Sequence, residues 1–173
     1  MTSLYETTDT WVFPETALTE SITDMAEDGR RGSEGIVLWA GTLEDGVGRI
    51  THVIGLHGPL IQKRPLQMHI DPDLFSKVSI FCAKAKIFLL GQIHSHPGTF
   101  TDLSETDKKY GIATPNFLSV VAPHYAQKPL TTWAECGVHV FEEDHGFHRL
   151  SPHELENLIV LDRTAKAPLI HLG

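Results

Sequence analysis

Residues 85–96, "AKIFLLGQIHSH", form the most hydrophobic strand-like run of the chain and end in two histidines separated by one serine. A run of this length, closed by a Pro-Gly pair, is typical of a buried strand. Side chains alternate along a strand with a period of two, so His94 and His96 project from one face while Ser95 points away. The sequence therefore predicts a central strand that ends with two imidazoles side by side.

Turn and helix signals divide the rest of the chain into further elements. The pattern predicts a first helix over 13–29, then strands at 34–41 and 48–58 joined by a hairpin at Asp45-Gly46. The later elements are a short strand at 66–71, a helix opened by Asp71 and Pro72, a short helix at 104–111, strands at 117–123, 131–143 and 146–151, and a C-terminal helix at 151–162. This order predicts an α/β (α+β) sandwich with one mixed β-sheet flanked by helices.

Length and composition limit the class of protein. A chain of 173 residues fits a single domain, 1–173, with a core over about 14–150. The net charge of −8 disfavours nucleic acid and anionic membranes as partners. The two cysteines lie far apart, no signal-peptide pattern opens the sequence, and no apolar run approaches the roughly 18–20 residues of a membrane span. We expect a soluble, cytoplasmic protein.

A serine and an aspartate follow the histidine pair at helical spacing. Ser104 and Asp107 are three residues apart, so on a helix both can face His94 and His96. Two imidazoles and one carboxylate, with a fourth position for water, are typical of a catalytic zinc site. Viewed alone, however, Ser104 and Asp107 also form a capping-box pattern. The residues themselves leave both interpretations open.

The complete pattern resembles the JAMM motif of the MPN metalloprotease family. The motif residues are His94-Ser95-His96-Pro97, then six intervening residues and Ser104-x-x-Asp107, together with an upstream glutamate at the start of a strand, here Glu34 of "EGIVLWAG". The resemblance implies an MPN/cytidine-deaminase-like fold and one catalytic Zn²⁺ with a bound water, held by His94, His96 and Asp107. It implies that Glu34 is the general acid/base and that Ser104 stabilises the oxyanion. A solvated glutamate remains the alternative for Glu34.

The same resemblance implies a substrate. Small bacterial members of the family suggest an isopeptidase or peptidase that cuts at the C-terminal glycine of a ubiquitin-like protein, in a conjugation or anti-phage defence system. The expected partners are that protein or its conjugate and proteins from a conjugation operon. The alternatives are a processing peptidase for a ubiquitin-like sulfur carrier and a non-catalytic MPN scaffold.

Other polar residues near the motif have simpler expectations. Asp102 and Glu105 are expected to serve the N-terminus of the short helix. Phe100 can line a substrate groove or pack on the core. The remaining histidines, including His139, lack a matching carboxylate pattern, and His145 and His148 are expected at the surface.

Overall fold

A computed structural model describes residues 8–130 and 132–173, so positions 1–7 and 131 of the predicted domain lie outside the described residues. The strands are β1 (Thr10–Pro14), β2 (Ile36–Glu44), β3 (Val47–Leu56), β4 (Ile61–Lys63), β5 (Met68–Ile70), β6 (Phe88–Ser95), β7 (Leu118–Ala122), β8 (Gly137–Glu142), β9 (Gly146–Arg149), β10 (Ile159–Asp162) and β11 (Leu169–Leu172). The helices are α1 (Ala17–Arg30), α2 (Pro72–Ala85), α3 (Glu105–Tyr110) and α4 (Pro152–Leu158).

Most strands join one mixed sheet. Its order is β10-β1-β3-β2-β6-β7-β8-β9, and β11 also pairs with β3. β2 is antiparallel to both β3 and β6, whereas β6 and β7 are parallel. β4 and β5 form a separate hairpin. The predicted α+β class with a mixed sheet flanked by helices is confirmed.

Each face of the sheet buries its own apolar cluster. Alternation along β2 sends Val37 and Trp39 into a cluster with Met25 of α1, and sends Ile36 and Leu38 into a cluster with α2. The indole N–H of Trp39 donates to Ser21 Oγ of α1 at 3.0 Å, so this buried donor is satisfied. Helices therefore cover both faces, and β6 lies in the interior of the sheet as predicted.

Local signals predicted several elements well. The β2–β3 hairpin turns at Asp45 and Gly46, both with positive φ, as a type I′ turn requires. Helix α2 begins as expected, because Asp71 is its N-cap and accepts from the Asp73 amide at 2.9 Å.

Two predicted helices were too long. Residues 13 and 14 belong to β1, which pairs with β3 and β10 in parallel, and α1 begins only at Ala17. The C-terminal helix predicted over 151–162 ends at Leu158, and its last residues form β10 against β1. β4 and β11 were not predicted. At residues 13–14 and 159–162, pairing with strands distant in sequence overrides the local helix pattern. Among the described residues, no helix is long and apolar enough to cross a membrane.

Gly29 allows α1 to contact the turn after β7. A Cβ at this position would lie 2.0 Å from the carbonyl oxygen of Tyr125, a residue with positive φ. Glycine is normally about 0.5–1 kcal/mol worse than alanine inside a helix, so a close contact explains its presence.

We predict that Gly29→Ala lowers the free energy of unfolding by about 1–3 kcal/mol, because the added methyl group overpacks this contact. Chemical denaturation measures the change. The control Thr19→Ala, on the exposed side of the same helix, should be neutral or slightly stabilising. A stabilised Gly29→Ala variant would contradict the predicted contact.

Candidate metal centre

The two histidines of the motif lie at the end of β6, as the alternation predicted. His94 is opposite Ile36 of β2 and beside Val121 of β7, and its residue surface is only 3% exposed. His96 follows the strand, and its amide donates to the Ala122 carbonyl at 2.9 Å. Both rings are buried, and their Nε2 atoms are 3.1 Å apart.

Ser95, which points away from the rings, joins β6 to the residue that follows Glu34. The Gly35 amide donates to Ser95 Oγ at 2.9 Å, and the Ser95 amide donates to the Gly35 carbonyl at 3.1 Å. The Glu34 amide in turn donates to the Arg64 carbonyl at 3.1 Å. These bonds hold Glu34, which is 5% exposed, beside the histidine pair. Sequence reasoning gave Ser95 no role, because its partner is sixty residues away.

Asp107 is held by the first turn of α3. Ser104 is the N-cap, and Ser104 and Asp107 form a complete capping box. The Ser104 amide and hydroxyl both donate to Asp107 Oδ2, at 2.8 and 2.7 Å, and the Asp107 amide donates back to Ser104 Oγ at 3.1 Å. The capping-box interpretation and the metal-site interpretation of Ser104 and Asp107 are therefore compatible, because the capping box directs the Asp107 carboxylate towards the histidines.

The three side chains present donor atoms at metal-site distances. His96 Nε2 is 3.1 Å from Asp107 Oδ2, and His94 Nε2 is 3.4 Å from Asp107 Oδ1. Tetrahedral zinc with bonds of 2.0–2.2 Å would separate its donors by roughly 3.3–3.6 Å. The donor set thus fits a divalent metal such as zinc with little rearrangement.

The ring orientation of His96 also suits a metal ligand. Its Nδ1 lies 3.2 Å from the Phe100 carbonyl, which can only accept, so Nδ1 carries the proton and Nε2 is directed to the site. The Phe100 ring stacks on the imidazole with 2° between the planes and is 58% exposed. Phe100 is therefore not a core residue; it covers His96 at the edge of the site.

The surroundings shift the pKa values of the two carboxylates of the site, Glu34 and Asp107, in opposite directions. Burial raises the pKa of Glu34 to about 7, an effect that nearby His96 opposes and Asp107 reinforces. Burial would also raise the pKa of Asp107, but hydrogen bonds from His94, His96 and Ser104 hold it well below its usual range. Asp107 is therefore a permanent anion, whereas Glu34 can exchange a proton near neutral pH.

The loop between His96 and α3 is anchored by a buried histidine that the sequence did not reveal. Asp102 accepts from His139 Nε2 at 2.7 Å, and the same ring contacts the Ser119 carbonyl through Nδ1 at 3.2 Å. Arg149 donates to Thr101 Oγ1 at 3.0 Å. Asp102 thus pairs with His139 and not, as expected, with the N-terminus of α3. The sequence around His139 showed no matching carboxylate pattern, so this contact was not predicted. His139 lies on β8, far from the loop in sequence.

A cavity of about 560 Å³ opens over the site. Glu34, His94 and Asp107 line it together with apolar side chains of β5 and of the segment after α3, including Met68, Ile70 and Ile112. Glu105, the other acid near the motif, is exposed and pairs with Lys108 at 3.2 Å. His145 is exposed and His148 is partly exposed, close to expectation.

Comparisons with known proteins agree with this geometry at a coarse level. No protein-family model matches the chain. The chain is 30% identical, over 108 residues, to a protein of Sinorhizobium fredii named as a probable metalloprotease. The matched segment covers 58% of this chain and 63% of that relative, so the match spans less than two thirds of the relative's length.

A solved structure shares the fold. A protein of Desulfitobacterium hafniense, determined in solution, superposes with a TM-score of 0.64 over 90% of this chain and 95% of its own, with 19% sequence identity. This likeness shows the fold alone. The chain is thus a distant relative of a probable metalloprotease, with a group of side chains that can hold a metal.

We predict that Ser95→Ala lowers the free energy of unfolding by about 1–3 kcal/mol, because the buried Gly35 amide loses its acceptor. Denaturant titration measures the loss. The control Ser76→Ala removes an exposed serine of α2 that donates to a carbonyl, and should change stability by less than about 0.5 kcal/mol. Equal effects of the two substitutions would contradict the role given to Ser95.

A second prediction concerns pH in metal-stripped protein. Because burial raises the Glu34 pKa from 4.5 to about 7, folding favours the protonated side chain, and this advantage is lost as pH rises through that range. Glu34→Gln should therefore match wild type below pH 4.5 and become more stable by about 2–3 kcal/mol above pH 7. Unfolding measured across this range, with the exposed Glu44→Gln as control, tests the sign. A constant difference at all pH values would contradict it.

Proposed function

We propose that the protein is a zinc-dependent, JAMM-type metallopeptidase that hydrolyses the bond after the C-terminal glycine of a ubiquitin-like protein. The observation that carries the proposal is one constellation. Three side chains that can hold a metal lie beside a buried glutamate with a pKa near 7, and His94, Asp107 and Glu34 line one cavity. The similarity to a probable metalloprotease supports the peptidase chemistry.

Each motif residue has a role in this proposal. His94, His96 and Asp107 hold the ion, which when bound polarises the scissile carbonyl and lowers the pKa of water. Glu34 accepts the proton of the attacking water and delivers it to the departing amine, for which a pKa near 7 is suited. The hydroxyl of Ser104, which donates to Asp107 in this structure, turns to donate to the developing oxyanion.

The substrate part of the proposal rests on the form of the cavity. Met68, His69 and Ile70 of β5 line it, and among the described residues β5 pairs only with β4. An extended peptide can add to such a free edge through main-chain hydrogen bonds. The flexible tail of a ubiquitin-like protein, ending in glycine, would pass along this edge to Glu34. The same proposal places the protein in the bacterial cytoplasm, where it would act in a ubiquitin-like conjugation system together with other proteins of that system.

A cleavage assay tests the proposal. The substrates are a ubiquitin-like protein with a C-terminal peptide extension, its isopeptide conjugate to lysine, a ubiquitin-like sulfur carrier with a blocked C-terminus, and an unstructured peptide of the same tail sequence. We expect cleavage after the terminal glycine of at least one folded substrate, and loss of cleavage with chelator that Zn²⁺ restores.

The variants separate chemistry from metal binding. Glu34→Gln should retain zinc and lose activity by about 10²–10⁴-fold, as expected for removal of a general acid/base. His96→Ala should lose activity and the zinc held at this centre, and Glu44→Gln should match wild type. Full cleavage by Glu34→Gln or by chelated protein would contradict the mechanism. Equal cleavage of the unstructured peptide would contradict the substrate class, and zinc binding without cleavage of any substrate would favour a scaffold.

A further inference from the structure

A second group of two histidines and one aspartate lies away from the candidate metal centre. Asp24 comes from the middle of α1, His57 directly follows β3, and His171 lies on β11. His171 Nε2 is 2.8 Å from Asp24 Oδ1, and His57 Nε2 is 3.0 Å from Asp24 Oδ2. All three donor atoms lie within 4.8 Å of one another. Three separate elements thus bring metal-ligand atoms to one point.

The backbone leaves room for this group. His171 is opposite Gly55 in the parallel pairing of β11 with β3. A Cβ on Gly55 would lie 2.6 Å from Asp24 Oδ2 and 2.8 Å from His171 Cδ2. Any other residue at position 55 would therefore push the carboxylate and the ring apart. The glycine is what lets a helix side chain meet a strand side chain across β3.

The charges favour a cation at this point. The side chain of Asp24 is 6% exposed, and its described contacts are with the two rings. A nearby cation, Lys63, already pairs with Asp28 at 2.7 Å. Lys63 Nζ is 3.5 Å from Nδ1 of His57, the ring nitrogen that faces away from Asp24, at the outer limit of a hydrogen bond. The Asp24 carboxylate consequently carries the net negative charge of the group.

We propose that Asp24, His57 and His171 form a second metal site that binds a divalent transition metal such as Zn²⁺. Imidazole and carboxylate donors suit this class of ion. The side chain of His171 is 58% exposed and that of His57 34%, so solvent completes the coordination. A bound ion would link α1, β11 and the end of β3 through Asp24, His171 and His57, which is a structural role. It binds the folded chain and not the unfolded one, and so stabilises the fold.

Metal stoichiometry tests the proposal independently of any peptidase activity. Protein stripped with chelator is dialysed against Zn²⁺, and bound metal is measured by elemental analysis. We expect about two equivalents for wild type, about one for a His94→Ala/His96→Ala variant, about one for His171→Ala, and none for the triple variant. Zn²⁺ should raise the thermal unfolding midpoint of the His94→Ala/His96→Ala variant but not that of the triple variant.

Matched substitutions keep the test decisive. His145→Ala removes a histidine that is 78% exposed and 3.7 Å from Glu142, and should leave about two equivalents. Asp24→Asn preserves size and should weaken binding at the second site at least about a hundredfold, beyond the 10–100-fold typical of outer-shell changes. Absence of metal from the His94→Ala/His96→Ala variant would overturn the proposal and show that Asp24, His57 and His171 form only a hydrogen-bonded cluster. One equivalent of metal still bound to the triple variant would overturn it as well.

Discussion

The antiparallel pairing of β2 with β6 is the constraint on which the rest of the site depends. It sets Ile36 opposite His94, and the reciprocal hydrogen bonds between Gly35, just before β2, and Ser95, the last residue of β6, extend the contact by one more residue. Because side chains alternate, the same register sends Ser95 towards Gly35 while His94 and His96 project from the other face, where His94 lines the cavity. A slip of one residue would turn the imidazoles to the opposite face and move Glu34 away from them. The site is thus a consequence of strand register.

The capping box of Ser104 and Asp107 serves both the helix and the site. Asp107 Oδ2 accepts from the backbone and the side chain of Ser104 and lies 3.1 Å from His96 Nε2. The bonds that start α3 therefore also lower the pKa of the carboxylate and fix its direction. Since one oxygen serves both the helix and the site, a substitution at Ser104 would alter helix stability and metal affinity together. A substitution at Ser104 would consequently test the position of Asp107 as well as the proposed oxyanion stabilisation.

Sequence alone predicted what local patterns encode. The apolar run predicted β6, turn and capping residues predicted the hairpin at Asp45-Gly46 and the start of α2, and alternation predicted the shared face of the two histidines. Pairings between distant segments were missed: β10 was taken for helix, and β11 was not predicted. The position of Glu34 came from a family resemblance, because nothing local distinguishes a buried acid from a solvated one. His139 and Asp102 were missed because their contact joins residues thirty-seven positions apart.

The two His-His-Asp groups lie on opposite faces of the sheet. Their surroundings favour the two different roles proposed for them, hydrolysis for one and structural support for the other. His94 projects with Ile36 towards the α2 side, whereas Gly55 and His57 follow Val53 on the α1 side. The first group lies beside a buried glutamate with a pKa near 7 and lines the larger cavity of about 560 Å³, so a bound substrate could meet a proton acceptor there. The described acid nearest the second group, apart from Asp24, is Asp28, and Lys63 neutralises it in an ion pair of 2.7 Å. The same three ligand types can therefore support hydrolysis on one face and a structural link on the other.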